Sequence, residues 1–226
     1  ALTDADAYRT STESLPGRSP VFIDIETDGL RPQMIWLIGV YDTRSEEYLS
    51  FLATDPDDKG NAVSAFASWF SANAANRPII AYHGEGFDFP HLHDHINRYA
   101  PQHSDAWRDA WTFDPYWWAV KQNNAILPGQ TNTLEDVAEA LGWETDDTGL
   151  SGDVVGQRFH RYMRNPCPAT ELDWERHETY CEDDVKALAY VFDTLRGADP
   201  VADVAPSGGP TDTEETTTAQ GTLTDF

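Results

Sequence analysis

The sequence predicts an α/β domain: a mixed five-stranded sheet flanked by helices on both faces. Three observations carry that reading. Short apolar runs rich in β-branched residues open the chain, as buried strands do. Apolar residues at helical spacing then dominate the second half. Glycines, prolines and capping residues fall between these segments.

The elements follow in order. Residues 1–19 are polar, with Thr, Ser, Pro and Gly and few apolar anchors, and read as a mobile lead-in. Pro20 to Glu26 (PVFIDIE) is a buried strand that Gly29 breaks. Met34 to Tyr41 and Glu47 to Ala53 are strands that complete a meander. Asn61 to Asn73 places Val63, Phe66, Ala67 and Phe70 on one helical face. Pro78 to Tyr82 is a fourth strand, followed by a helix from about Phe89 to Tyr99. Trp111 to Asp114 is a short fifth strand, and the chain from Pro115 is helical, with Pro in the first turn. Thr133 opens a helix over Leu134 to Leu141 and Gly142 ends it. Ser151 caps a helix through Met163, and Leu172 to Leu195 forms a long final one. From Gly197 to Phe226 the 30 residues hold Pro, Gly, Thr and acids but no Lys, Arg or His, the composition of a disordered tail. The domain is therefore expected over 20–196, between the lead-in and a tail over 197–226.

Composition excludes several classes. The net charge is −24 and the pI near 4.3, so no general positive field attracts phosphates. Cys167 and Cys181 are the only cysteines, which excludes a disulfide-stapled scaffold. There is no apolar run long enough to span a membrane and no leader pattern, so a cytoplasmic protein is expected. Residue 1 is Ala, so the start is expected to be processed or cut from something longer. Asp outnumbers Glu, and only Lys59, Lys121 and Lys186 are lysines. Such a surface stays hydrated when salt screens exposed charge, and it resembles proteins of salt-accumulating archaea.

Three segments carry candidate chemistry. Asp24 and Glu26 lie two apart in a strand, so both side chains leave one face among Phe22, Ile23 and Ile25. Two like charges there repel and both are disfavoured by desolvation, a conflict that a divalent cation removes. Oxygen-only ligands suit Mg²⁺ or Mn²⁺. Asp88 follows the fourth strand. Tyr180 and Asp184 are four apart on the final helix, and Leu188, Val191 and Leu195 continue their face, so Asp184 is carried inward.

In these residues the sequence resembles the DEDD superfamily of 3′→5′ exonucleases, in its tyrosine-containing branch. Phe22-Ile23-Asp24-Ile25-Glu26-Thr27-x-Gly29-Leu30 resembles the first motif of that family. Tyr82-His83-Gly84-x-x-Phe87-Asp88-x-Pro90-x-Leu92 resembles the second, and Tyr180-x-x-x-Asp184-Val185 the third. The segment Thr133-Leu134-x-x-Val137-Ala138-x-x-Leu141-Gly142 resembles the helix that precedes the third motif. The resemblance spans about 20–196 and implies a ribonuclease H-like fold. It also implies a two-metal site for Mg²⁺ or Mn²⁺. Asp24 would bridge both ions, Glu26 and Asp184 would complete the first site, and Asp88 would hold the second. Tyr180 with Glu26 would orient the attacking water, and Thr27 and Leu30 would meet the terminal nucleotide, with simple packing the alternative for Leu30. His83 stands where the family has Asn, which alters its contact with substrate.

Other features stay open. Arg158 and Arg161, with Arg164, share a helix face that is either solvated or in contact with phosphates. Trp111, Tyr116, Trp117 and Trp118 read as core rather than a base-stacking platform. His91, His93 and His95 are spaced by two, which fans them apart on a helix rather than gathering them on zinc. Cys181 reads as packing. The ending Gln220-Gly221-Thr222-Leu223-Thr224-Asp225-Phe226 resembles the clamp-binding PIP box, so Gln220, Leu223 and Phe226 are expected to dock on a sliding clamp. The expected function is thus a DNA 3′→5′ exonuclease recruited by that clamp. The rivals are an exoribonuclease of the ribonuclease D kind and a non-catalytic nucleic-acid or clamp-binding module.

Overall fold

The computed structural model describes residues 7–146 and 148–198. The proposed clamp-binding residues Gln220, Leu223 and Phe226 lie outside them.

Five strands form the main sheet in the order β4-β3-β2-β5-β6. These are β2 (Val21–Thr27), β3 (Ile35–Asp42), β4 (Glu47–Leu52), β5 (Pro78–Ile80) and β6 (Trp111–Phe113), after a two-residue β1 (Tyr8–Arg9). The first three form an antiparallel meander, and β5 and β6 run parallel to β2. The helices are α1 (Asn61–Asn73), α2 (Asp88–Tyr99), the short α3 (Ser104–Arg108), α4 (Leu134–Ala140), α5 (Gly152–Arg164) and α6 (Trp174–Gly197). The expected mixed five-stranded α/β architecture is what the chain adopts.

Strand β2 is buried on both faces because its alternating residues serve two layers. Val21, Ile23 and Ile25 pack with Val63, Phe66 and Phe70 of α1 and Leu92 and Ile96 of α2. Phe22, on the other face, meets Val185, Leu188 and Phe192 of α6, its ring edge-on to Phe192 at 5.6 Å. Asp24 and Glu26 share the face of Phe22. A third cluster seats α5: Trp36 of β3 stacks on Phe159 at 4.6 Å and meets Trp174 edge-on.

The described part of the lead-in, from residue 7, makes contacts with the domain. Tyr8 and Arg9 pair antiparallel with β7 (Ala125–Ile126), Arg9 lies over the Trp118 ring at 5.6 Å, and Leu15 is buried. A two-residue ladder has no periodicity to detect, so the polar composition of 1–19 dominated the expectation. At its end, Arg77 donates to Asp42 Oδ2 (2.9 Å) and to the Ser19 carbonyl (2.8 Å). That pairing holds Asp42 below its ordinary carboxylate range.

Several boundaries moved for local reasons. Helix α4 ends as expected: Gly142 sits at φ 98°, Trp143 N–H donates to the Ala138 carbonyl and Gly142 N–H to that of Glu139. Thr133 accepts from Asp136 N–H at its start, but Ser151 makes no side-chain cap on α5. The segment after Pro115 is one π-helical turn, Trp117–Lys121. Of its aromatic cluster only Trp118 is buried; Trp111 and Trp117 are exposed, against the expectation of core. Among the described residues no helix is long and apolar enough to cross a membrane.

Candidate active site

Three elements deliver the acidic residues to one place. Strand β2 presents Asp24 and Glu26, α2 begins with the buried Asp88, and α6 carries Tyr180 and Asp184 one turn apart. The phenylalanine contact between Phe22 and Phe192 fixes α6 against this face of β2, which turns Asp184 toward the strand. Carboxylate oxygens of Asp24, Glu26 and Asp184 lie within 4.8 Å of one another. Asp88 stands outside that triad but lines the same cleft, with Tyr180.

Burial raises every carboxylate of this group. Asp24 is pushed up to about 6, with the Cys181 thiol and a backbone bond from Ile25 opposing. Glu26 rises well above the ordinary glutamate range, first by burial, then by the charges of Asp24, Asp184 and Asp88. Asp88 and Asp184 rise by burial and then by Asp24. Tyr180 is also pushed up, by burial and then by Asp184. Four carboxylates that resist ionising together are a poor structural investment without a cation. The triad offers only oxygen donors, with no histidine nitrogen or thiolate, and so fits a hard divalent ion such as Mg²⁺ or Mn²⁺.

Cys181, expected as packing, has a more specific place. Its Sγ lies 3.7 Å from Asp24 Oδ2, and it is fully buried. Gly39 stands directly opposite Asp24 in the β2–β3 ladder, and any Cβ there would overlap Cys181 Sγ. The glycine thus makes room for the thiol that backs the carboxylate.

The cleft has a volume near 840 Å³, and the substrate residues expected from the sequence divide across it. Thr27, Leu30 and His83 line it with the carboxylates. Leu30 is 86% exposed on a loop shaped by Asp28, whose Oδ1 accepts from Gln33 N–H (2.8 Å) and Met34 N–H (3.1 Å). An exposed leucine at the cleft mouth is not serving a core. His83 has φ 60°, a left-handed conformation in which Asn and His are both enriched, so the backbone here accepts either residue. Asp114 holds that loop, accepting from His83 N–H and Glu85 N–H at 3.1 Å each and from Trp117 N–H at 3.0 Å. No spacing or motif in the sequence marks Asp114 for this role.

Arg158 and Arg161 do not line the cleft. Helix α5 turns Gly152, Asp153, Gly156, Gln157 and His160 to it instead, while Val155 and Phe159 are buried. Of the two readings left open for these arginines, phosphate contact finds no support in the lining of this cleft. The signal was present: Gly152, Gly156 and His160 recur every four residues, a stripe that lets a helix approach closely, and Gly156 lies against the Thr27 carbonyl.

Residues 21–196 match the family model RNase_H_2, of the RNase_H superfamily. No curated protein sequence matches the chain. Among solved structures, the family B DNA polymerase from the hyperthermophilic archaeon Pyrobaculum calidifontis is similar at 17% identity and TM-score 0.54. The match covers 81% of this chain and 25% of that one. E. coli exonuclease I in complex with a dA16 oligonucleotide is similar at 20% identity and TM-score 0.43, over 66% of this chain and 42% of that one. The chain thus spans a quarter of the polymerase's length and less than half of the exonuclease's.

Proposed function

This chain belongs to the RNase H superfamily, and from that premise we propose that it is a divalent-metal-dependent 3′→5′ exonuclease of the tyrosine-containing DEDD branch, acting on DNA. The observation that carries the reading is the convergence of Asp24, Glu26 and Asp184, from elements some 160 residues apart in sequence, on one point of a cleft that also holds Asp88 and Tyr180.

In this reading Asp24, Glu26 and Asp184 would hold one ion, and Asp88 would help to hold a second. Bound divalent cations supply charge that stabilises the attacking and leaving oxygens of a phosphodiester displacement. The chain's own groups do the rest. Tyr180 stays protonated, because burial and then Asp184 raise it, and so keeps an O–H that can donate a hydrogen bond to orient water. Glu26, beside it in the cleft, accepts a hydrogen bond from that water. Thr27, Leu30 and His83 meet the terminal nucleotide, Leu30 as an exposed apolar wedge beside its base. The Cys181 thiol steadies Asp24.

The acidic, lysine-poor surface supports work in a salty cytoplasm, and the ending Gln220–Phe226 supports recruitment by a sliding clamp. The test is digestion of 3′- and 5′-labelled DNA and RNA oligonucleotides with Mg²⁺ or Mn²⁺, for the wild-type chain and for Asp184→Ala. Stepwise shortening from the 3′ end, lost in the variant and after chelation, is expected. Faster loss of RNA would assign the site to an exoribonuclease, and full activity in Asp184→Ala would end the proposal.

A further inference from the structure

Resting on the nuclease reading, a difficulty arises at the cleft itself. None of its lining side chains is a lysine or arginine. The metal site accounts for one phosphate, but a strand feeding its end into that site carries further phosphates past an acidic wall that includes Asp28 and Asp153. On a chain of net charge −24, the next phosphates need cations of their own.

A second concavity, of about 320 Å³, supplies them. It is lined by Arg31, Pro32, His91, Asp94, His95 and Arg98, with Asp94 its one acid. It joins the cleft at two points. Leu30, at the cleft mouth, is followed directly by Arg31. Phe87, also in the cleft, meets the His91 ring edge-on at 4.7 Å. Arg31 and Arg98 are exposed and form no ion pair among the described residues, whereas Arg77, Arg108 and Arg196 each hold an acid. The Arg98 guanidinium lies 5.1 Å from the Tyr99 ring, which leaves its outer face for a partner. Burial and then His95 push His91 below the ordinary histidine range, so Arg31 and Arg98 carry the charge at neutral pH.

We infer that Arg31 and Arg98 form a phosphate track that guides the strand behind its 3′ end, from the second concavity over the Leu30–Phe87 rim into the carboxylate cleft. The contact is to backbone phosphate and carries no base specificity. It serves a single strand, because the duplex's second backbone would bring more uncompensated phosphates against the acidic surface.

The test is the length dependence of kcat/KM on single-stranded dT and rU oligonucleotides of two to eight nucleotides. The proteins compared are wild type, Arg31→Ala/Arg98→Ala and Arg31→Lys/Arg98→Lys. Wild-type kcat/KM should climb with each added phosphate until the track is filled. In the alanine pair that climb should flatten at least tenfold, chiefly through KM, and the lysine pair should restore most of it, since a phosphate contact needs the charge. The same climb in wild type and alanine pair, or no rescue by lysine, overturns the track while leaving the nuclease standing. No hydrolysis of any oligonucleotide by the wild-type chain overturns the nuclease reading and the track with it. The polymer with the steeper climb identifies the strand as DNA or RNA.

Discussion

Replacing Asp24 by Asn should make the metal-free protein more stable, and by an amount the structure sets. The Asp24 carboxyl is raised from 3.8 to about 6 by burial. Below 3.8 the folded and unfolded chains both hold the proton, and nothing is lost. Between those values the folded chain keeps a proton that the unfolded chain releases, so stability falls as pH rises. Above about 6 the whole cost stands, roughly 3 kcal/mol at 1.36 kcal/mol per pK unit. Asparagine has the same shape and still accepts from the Cys181 thiol, so little packing is sacrificed. Relief is shared, because the Asp24 charge also raises Glu26, Asp88 and Asp184. For a domain of this size each kcal/mol moves Tm by about 2–4 °C, so the gain at neutral pH should be about 6–12 °C. The assay is thermal unfolding followed by near-UV circular dichroism, in EDTA and about 1 M KCl, where exposed charges are screened to within ~3 Å. The Tm gap should close as the pH falls toward 4, and added Mn²⁺ should raise the wild type more than the variant. A variant less stable than wild type at neutral pH, or a gap independent of pH, would refute the argument that these carboxylates are strained against one another.

Other perturbations follow from the same structure. Gly39→Ala should destabilise by about 1–3 kcal/mol, because its methyl overlaps Cys181 Sγ, and should cut cleavage by displacing Asp24; denaturant unfolding with unchanged midpoint would count against that packing. Cleavage should rise from low salt toward molar KCl, since screening weakens the repulsion between an acidic protein and its substrate; a maximum near 0.1 M with loss above it would contradict this. Leu223→Ala with Phe226→Ala should abolish binding to a sliding clamp, as each buried apolar anchor contributes about 1.5–3 kcal/mol; equal calorimetric titrations for both proteins would make the tail ending a coincidence.

Periodicity was enough to place the five strands of the main sheet, most of the long helices and two pairs of inward-facing residues. A repeat of two sends Asp24 and Glu26 to one face of a strand, and a repeat of near four sends Tyr180 and Asp184 to one face of a helix. Both repeats are local properties of the backbone, so they are legible without a fold. Composition, by contrast, gave no sign of the contacts made by Tyr8, Arg9 and Leu15, because a two-residue ladder and one buried leucine leave no pattern in a polar segment.

The rotation of α5 was beyond the sequence. Spacing puts Arg158 and Arg161 on a common face, but it does not say which face looks at the carboxylates. That is decided by Phe159 stacking on Trp36 from a strand more than 120 residues earlier, which turns Gly152, Gly156 and His160 to the cleft and the arginines away. The meeting of Arg31 and Pro32 with His91, Asp94, His95 and Arg98 around the second concavity is likewise set by tertiary packing, since the loop after β2 and helix α2 lie far apart in the chain. A side chain's face is set by its neighbours in the chain, whereas what that face meets is set by whichever apolar surfaces bury each other, and those lie far apart in sequence.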